Sequence, residues 1–227
     1  MNIYQSLIQP ERDVSDYIQH TVRQEECFTG LDIGCGRFSN LTALRPQLVS
    51  TGIDSFAPAI EEAKSRNLHD HYIVDDVMRH NFAGEKFDVV VANEVIEHLD
   101  KLAGWELLKR LESLSGKLVV ITTPNGFLPQ GAEFGNPWQR HKSGWFVHDF
   151  IGLGYLVRGF YGPKFMRGYA GQMKWRGSRV LTPLSQVLGM MLGPWPHLHF
   201  GLLAIKDVRD VSVRLASGSR ATTAEKP

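Results

Sequence analysis

Apolar positions along this chain fall into short β-branched runs, separated by stretches whose hydrophobic residues recur at helical intervals. Val14, Tyr17, Ile18 and Val22 share one helix face, which predicts an amphipathic helix ahead of the first strand. Leu31-Asp32-Ile33 reads as a buried strand running into Gly34-Cys35-Gly36. Residues 40–48 are expected to form the first crossover helix. Val49–Asp54 then reads as a second strand, residues 58–66 as a helix with Pro58 in its first turn, and His71–Val74 as a third strand. Residues 87–92 are the clearest core strand, a run suited to burial on both faces. A helix over 102–114, ending near Gly116, and a strand over 117–122 follow. Strands alternating with helices at this pace predict an α/β fold, with a doubly wound, mainly parallel sheet and helices on both faces.

Beyond Pro124 the pattern loosens. Residues 123–144 are rich in Gly, Pro, Asn and Gln and read as a long loop, the usual home of a substrate site. A short helix over 145–153, a strand over 155–160, a helix carrying Leu181, Leu184, Val187, Leu188, Met191 and Leu192, and a last strand over 200–205 complete the reading. Residues 161–179 interleave basic and aromatic side chains. This pattern fits a solvated surface over packed aromatics, or recognition of an anionic acceptor, a glycan or an RNA. The organisation expected is a single domain over 1–214. It comprises an N-terminal helical segment (1–26), a ligand-binding half (27–126) and a substrate-recognition half (127–214), before a disordered polar tail (215–227).

Composition narrows the function. At 227 residues the chain suits one domain able to bury a core without staples. Its 25 basic and 24 acidic residues nearly cancel, which argues against a strong non-specific nucleic-acid footprint. Cys27 and Cys35 suggest no disulfide framework, and a reduced, cytoplasmic setting is expected. No basic start followed by an apolar run marks a signal peptide. Residues 181–205 are interrupted by Gly193-Pro194-Trp195-Pro196-His197, so no transmembrane segment is expected.

The glycine turn carries the candidate chemistry. Two glycines at this spacing let the backbone turn sharply and bring its amides against a ligand. A dinucleotide fingerprint needs a further glycine where Ser39 stands, and the Asp32 carboxylate is poorly placed beside a pyrophosphate. The ligand expected is therefore cationic or zwitterionic. Asp54, 18 residues after Gly36, stands where a carboxylate accepts both hydroxyls of a ribose, although Asp54-Ser55 before a helix is also ordinary capping chemistry. Glu94, Glu97 and His98, at i, i+3 and i+4, fall on one face of a helical turn. There they can converge on a divalent ion such as Mg²⁺ or Mn²⁺, or pack within the helix start.

Asp32-Ile33-Gly34-Cys35-Gly36 resembles the first motif of class I S-adenosylmethionine-dependent methyltransferases, with Phe38 where that motif often has a third glycine. Asn93-Glu94-Val95-Ile96-Glu97-His98-Leu99 resembles the motif of the small-molecule branch with Glu-x-x-Glu-His-Leu, which includes quinone-biosynthesis O-methyltransferases. It does not resemble the Asn/Asp-Pro-Pro-aromatic signature of enzymes that methylate DNA bases. Thr122-Thr123-Pro124-Asn125-Gly126 is also similar to the family.

The resemblance implies a Rossmann-like seven-stranded sheet whose final strand inserts antiparallel beside the fifth, and S-adenosylmethionine as cofactor. It implies a cofactor-binding set of Asp32, Gly34, Cys35, Gly36, Asp54, Ser55, Asp76, Val77, Asn93 and Glu94. Within that set Asp76-Val77, or the adjacent Asp75, would meet adenine, and Asn93 and Glu94 would flank the methionyl part. His98 or His141 could serve as general base. The expected acceptor is a hydroxyl or amine of a small molecule or saccharide. RNA or protein methylation, or a non-catalytic cofactor-binding partner subunit, are the alternatives. No cysteine lies in the substrate half, which disfavours a covalent enzyme–base adduct.

Overall fold

The computed structural model describes residues 14–132, 135–169, 172–175 and 178–209. The polar tail expected from 215 and the start of the N-terminal segment lie outside these residues. A seven-stranded sheet has the order β3-β2-β1-β4-β5-β7-β6. Its strands are β1 (Thr29–Ile33), β2 (Val49–Asp54), β3 (His71–Val74), β4 (Phe87–Asn93), β5 (Ser115–Pro124), β6 (Leu156–Pro163) and β7 (His199–Asp207). All neighbouring pairs are parallel from β3 through β5, while β7 runs antiparallel to both β5 and β6, as the resemblance implied.

The sheet is covered on both faces because its central strands carry apolar residues on both sides of the pleat. Val90, Ala92, Val119, Ile121, Leu202 and Ala204 pack on one side with Leu107, Leu108, Leu111 and Leu114 of α3 (Lys101–Leu114). The alternate residues Val89, Val91, Leu118, Val120, Leu203 and Ile205 pack on the other with Tyr17, Ile18 and Val22 of α1 (Val14–Gln24). This period-two division follows from the pleat. Helix α2 (Ala57–Ser65) carries Pro58 in its first turn and packs beside β2 and β3. Asp100 caps α3 by accepting from the Ala103 amide at 3.1 Å.

One expected element is absent. In place of a helix over 40–48 there is a single 3-10 turn, Thr42–Leu44. Pro46 explains this, since its ring drives the preceding residue out of the helical region, and Arg45 is extended at φ −71° and ψ 146°. Leu41, Leu44 and Leu48 still fill the space of a crossover helix by packing against α1. The loop over 123–144 is shorter than expected because β5 runs on to Pro124, and a 3-10 turn (Pro137–Gln139) interrupts it. Two further helices follow, α4 (Val147–Ile151) and α5 (Ser178–Met191).

Candidate functional site

The carboxyl ends of β1, β2, β4 and β5 open into a cavity of about 400 Å³. Its first wall is the glycine turn, from Gly34 to Phe38. Gly34 and Gly36 have φ of +60° and +49°, values that L-residues rarely adopt. The Gly34 and Cys35 amides donate to the Ile53 carbonyl at 2.8 and 3.2 Å, fixing the turn to β2. Space forbids a side chain at Gly34 as well, since a Cβ there would come within 2.7 Å of Val95 Cγ2. Cys35 also lines the cavity. Its thiol is 2 % exposed and burial pushes its pKa far up, so it is no nucleophile.

Asp54 closes the wall at the end of β2. Its Oδ2 accepts from the Gly36 amide at 3.1 Å and its Oδ1 from the Phe56 amide at 2.8 Å. Burial raises its carboxyl pKa, and these two amides oppose that shift. Its bond to the Phe56 amide closes the turn ahead of the helix, whose N-cap is Phe56 rather than Asp54, and Asp54 also lines the cavity, together with Phe56.

Asn93 and Glu94 form the floor at the end of β4. Asn93 Oδ1 accepts from Asn40 Nδ2 at 3.1 Å and from Thr122 Oγ1 at 2.7 Å, which fixes its rotamer. Glu94 has φ of +54°, uncommon for a side-chain-bearing residue, and its amide donates to the Thr122 carbonyl at 3.0 Å. This kink starts the 3-10 turn Ile96–His98, which brings Glu97 and His98 to the far wall.

His141 joins them from the long loop. Its Nδ1 lies 2.7 Å from the Leu128 carbonyl, and its ring meets that of His98 edge to face at 4.8 Å. The Lys142 and Ser143 amides donate to the Glu97 carbonyl at 2.8 and 3.1 Å and hold the loop there. Ligand atoms of Glu97, His98 and His141 all lie within 4.8 Å of one another. Glu94, expected in that group, is not one of the three residues that converge, and burial raises its carboxyl pKa. Sequence spacing alone thus named two of the three members.

The electrostatics of this wall follow from burial. Glu97 is 1 % exposed, with Oε2 accepting from Thr123 Oγ1 at 3.0 Å and Oε1 without a donor among the described residues. Burial first, and the Glu94 carboxyl second, hold the Glu97 pKa well above its usual range. Burial pushes His98 down to about 4, with His141 beside it reinforcing the shift, so its imidazole is neutral.

Other expected residues stand elsewhere. Asp32 lies behind the glycine turn, 2 % exposed, where its Oδ2 accepts from Ser39 Oγ at 2.5 Å. Ser55 is exposed and outside the lining. Asp76 and Val77 are also outside it. Asp76 Oδ1 accepts from the Met78 amide at 2.9 Å, and Asp75 pairs with His80 at 2.8 Å. The sequence reading missed Phe56, Leu128, Gln130, Asn136 and Phe200, which line the cavity. Only Phe56, two residues after a strand-terminal acid, carried a local signal.

Comparison with known proteins agrees with this architecture. A family model described as a methyltransferase domain matches residues 8–152. Among solved structures, magnesium protoporphyrin IX methyltransferase from Synechocystis PCC 6803 with bound S-adenosylmethionine superposes with a TM-score of 0.52. It is 13 % identical over 91 % of this chain and 84 % of its own. The plantazolicin methyltransferase BpumL, in complex with S-adenosylhomocysteine, gives 0.51 at 19 % identity over 89 % and 84 % of the two chains. The methyltransferase domain of bacterial CtHen1 gives 0.54 at 16 % identity over 87 % and 97 %. No curated protein sequence matches. The chain belongs to the methyltransferase-domain family, and it shares its fold with methyltransferases solved with S-adenosylmethionine or S-adenosylhomocysteine bound. The family match ends one residue past α4, so all of residues 27–126 and the start of the part that follows fall inside it.

Proposed function

We propose that this enzyme methylates a hydroxyl, or an amine, of a small molecule or saccharide. The observation that carries the reading is the convergence of Glu97, His98 and His141 on the wall facing the glycine turn, in one cavity. S-adenosylmethionine brings a methyl group on a positively charged sulfur, already activated for displacement. The protein's task is then to align the acceptor with that methyl and to take up a proton. In this reading Gly34 and Gly36 give the cofactor close backbone approach, Asp54 accepts its ribose hydroxyls, and Asn93 and Glu94 flank its methionyl end. Asp32, Ser55, Asp76 and Val77 support the surrounding turns. His98 or His141 receives the acceptor's proton.

The same three residues fit a divalent ion. Glu97 Oε1 lacks a donor among the described residues and the two imidazoles meet edge to face beside it, a nitrogen-rich set that favours Mn²⁺ over Mg²⁺. Such an ion would act as a Lewis acid on an acceptor hydroxyl. The reading is tested by incubating the enzyme with methyl-labelled cofactor and fractionated small-molecule extracts, with and without a chelator. Label entering a low-molecular-weight fraction supports it. Label entering only RNA or protein, or cofactor binding without transfer to any fraction, overturns it.

A further inference from the structure

Between Asp149 and Asp207 the sequence contains no aspartate or glutamate, while seven lysines and arginines fall inside that span. The near balance of charge across the chain therefore hides a basic C-terminal region. Much of this region is attached to β6, the edge strand of the sheet.

Helix α5 packs on that edge with its small residues. Ser185 and Gly189 are buried, and a Cβ on Gly162 of β6 would come within 2.1 Å of Ser185 Oγ. The opposite arc of the helix carries Leu184, Val187, Met190 and Met191, each between 46 % and 69 % exposed. A helix facing water buries its large apolar side chains and exposes polar ones. Here small residues face inward and large apolar residues outward. The neighbouring turn adds exposed Trp195 and Leu198, and Asn125 anchors it by donating to the Pro196, His197 and His199 carbonyls at 3.3, 3.0 and 2.8 Å.

The segment that continues β6 has the complementary chemistry. Phe165, Tyr169 and Trp175 are more than half exposed, with exposed Lys164 and Lys174 among them. The Lys174 amide donates to the Met166 carbonyl at 3.0 Å, so the segment folds back on itself. Arg167 sits over the ring of Phe200 at 5.7 Å, and Phe200 lines the cavity. The surface thus reaches the rim of the active-site opening.

We propose that this β6 edge docks on the surface of an anionic lipid bilayer. The outer arc of α5 enters the boundary between headgroups and acyl chains, Trp175 and Trp195 sit at headgroup level, and Lys164 and Lys174 meet lipid phosphates. Charge selects this occupant. A second copy of the chain would bring the exposed Lys164 and Lys174 of one copy against those of the other, whereas anionic headgroups neutralise them. A fluid bilayer also accepts a convex apolar ridge without needing a matching groove. Among the described residues no helix is long and apolar enough to cross a membrane, so the contact is peripheral. The proposal is independent of which acceptor the cavity takes.

Flotation of the full chain with vesicles tests it, comparing phosphatidylcholine alone with phosphatidylcholine plus phosphatidylglycerol. The protein is expected to float with the anionic vesicles and to be released by salt. Lys164→Gln and Lys174→Gln should each weaken partitioning about fivefold. Val187→Gln with Met191→Gln should weaken it about tenfold or more, with an unchanged melting temperature because both sites are exposed. Asp54→Ala should float like the wild type, which separates this surface from the cofactor site. Failure to float with anionic vesicles overturns the proposal, as does undiminished flotation of the Val187/Met191 variant. A solution dimer that the same double variant dissociates, with no vesicle binding, would assign the face to a second copy and also overturn it.

Discussion

Asp54 joins the glycine turn to the turn that leads into α2: one carboxylate oxygen receives the Gly36 amide at 3.1 Å and the other the Phe56 amide at 2.8 Å. Each oxygen keeps a lone pair for a further donor, so the residue can hold the turn and still receive ribose hydroxyls. Losing such charge-assisted bonds costs about 1.5–3 kcal/mol. Asp54→Ala is therefore expected to weaken S-adenosylhomocysteine binding by about ten- to hundredfold in calorimetry. Unchanged affinity would remove Asp54 from the cofactor site.

Beneath the same turn, Asp32 and His69 form a buried pair whose pH behaviour can be separated. His69 Nε2 lies 3.6 Å from Asp32 Oδ2, and its Nδ1 is 3.1 Å from Ser50 Oγ. Burial pushes Asp32 up to about 7, partly opposed by the Ser39 hydroxyl, and pushes His69 down to about 4. For His69 the folded pKa is depressed, so its contribution is fully present above about 6.5 and is lost as pH falls towards 4. For Asp32 the folded pKa is raised, so its contribution is present below about 3.8 and is lost as pH rises towards 7. Across the shared window folded and unfolded pairs each bind one proton, on Asp32 in one and on His69 in the other. The two slopes cancel.

Asp32→Asn is expected to expose the His69 slope. Relative to wild type, its unfolding free energy should fall on the order of 3 kcal/mol between pH 6.5 and 4. Denaturant titrations across that range measure the difference. Parallel wild-type and variant profiles would show that the pair does not share its proton in this way.

The sequence and the structure agree where information is local. The five parallel strands, the glycine turn and the Glu-x-x-Glu-His string are each set by neighbouring residues, and each was legible. The antiparallel place of β7 came from the family resemblance rather than from periodicity. What was not legible depends on distant contacts or on one residue's veto. Pro46 cancels a helix that the spacing of Leu41, Leu44 and Leu48 suggests, because those leucines bury equally well from a 3-10 turn. His141 reaches His98 only because the long loop is tied to the Glu97 carbonyl, a contact no local pattern contains. Asp76 carries the family's expected acid and lies outside the cavity lining, with its Oδ1 accepting from the Met78 amide.

Gly104 shows how the core supports that loop. It lies on α3 against Trp145, and an added Cβ would come 2.3 Å from Trp145 Cζ2. Trp145 is fully buried, its Nε1 donates to Ser143 Oγ at 2.9 Å, and Lys101 Nζ sits 3.6 Å from its ring centre. In a helix interior, alanine is usually better than glycine by about 1 kcal/mol. Here overpacking should outweigh that gain, because the ring has nowhere to move. Gly104→Ala is expected to lower stability by about 1–2 kcal/mol, a fall in Tm of roughly 3–6 °C. A stabilised variant in a thermal melt would show that the Trp145 ring yields without cost.

The composition of the Glu97–His98–His141 group makes a last, sharper prediction. Sequence spacing points to Glu94, Glu97 and His98 as metal ligands, whereas the geometry replaces Glu94 with His141. The two sets differ in one measurable respect. If the ion is held by the geometric set, His141→Ala should weaken Mn²⁺ binding by more than the ten- to hundredfold that an outer-shell partner is worth. Glu94→Gln, whose side chain would act from outside the group, should weaken it no more than that range. Calorimetric Mn²⁺ titrations of both variants decide the matter, with cofactor affinity measured alongside to show that the glycine-turn wall is intact. A large loss in Glu94→Gln and none in His141→Ala would restore the ligand set read from spacing. No Mn²⁺ binding by the wild type would leave the two histidines to proton transfer alone.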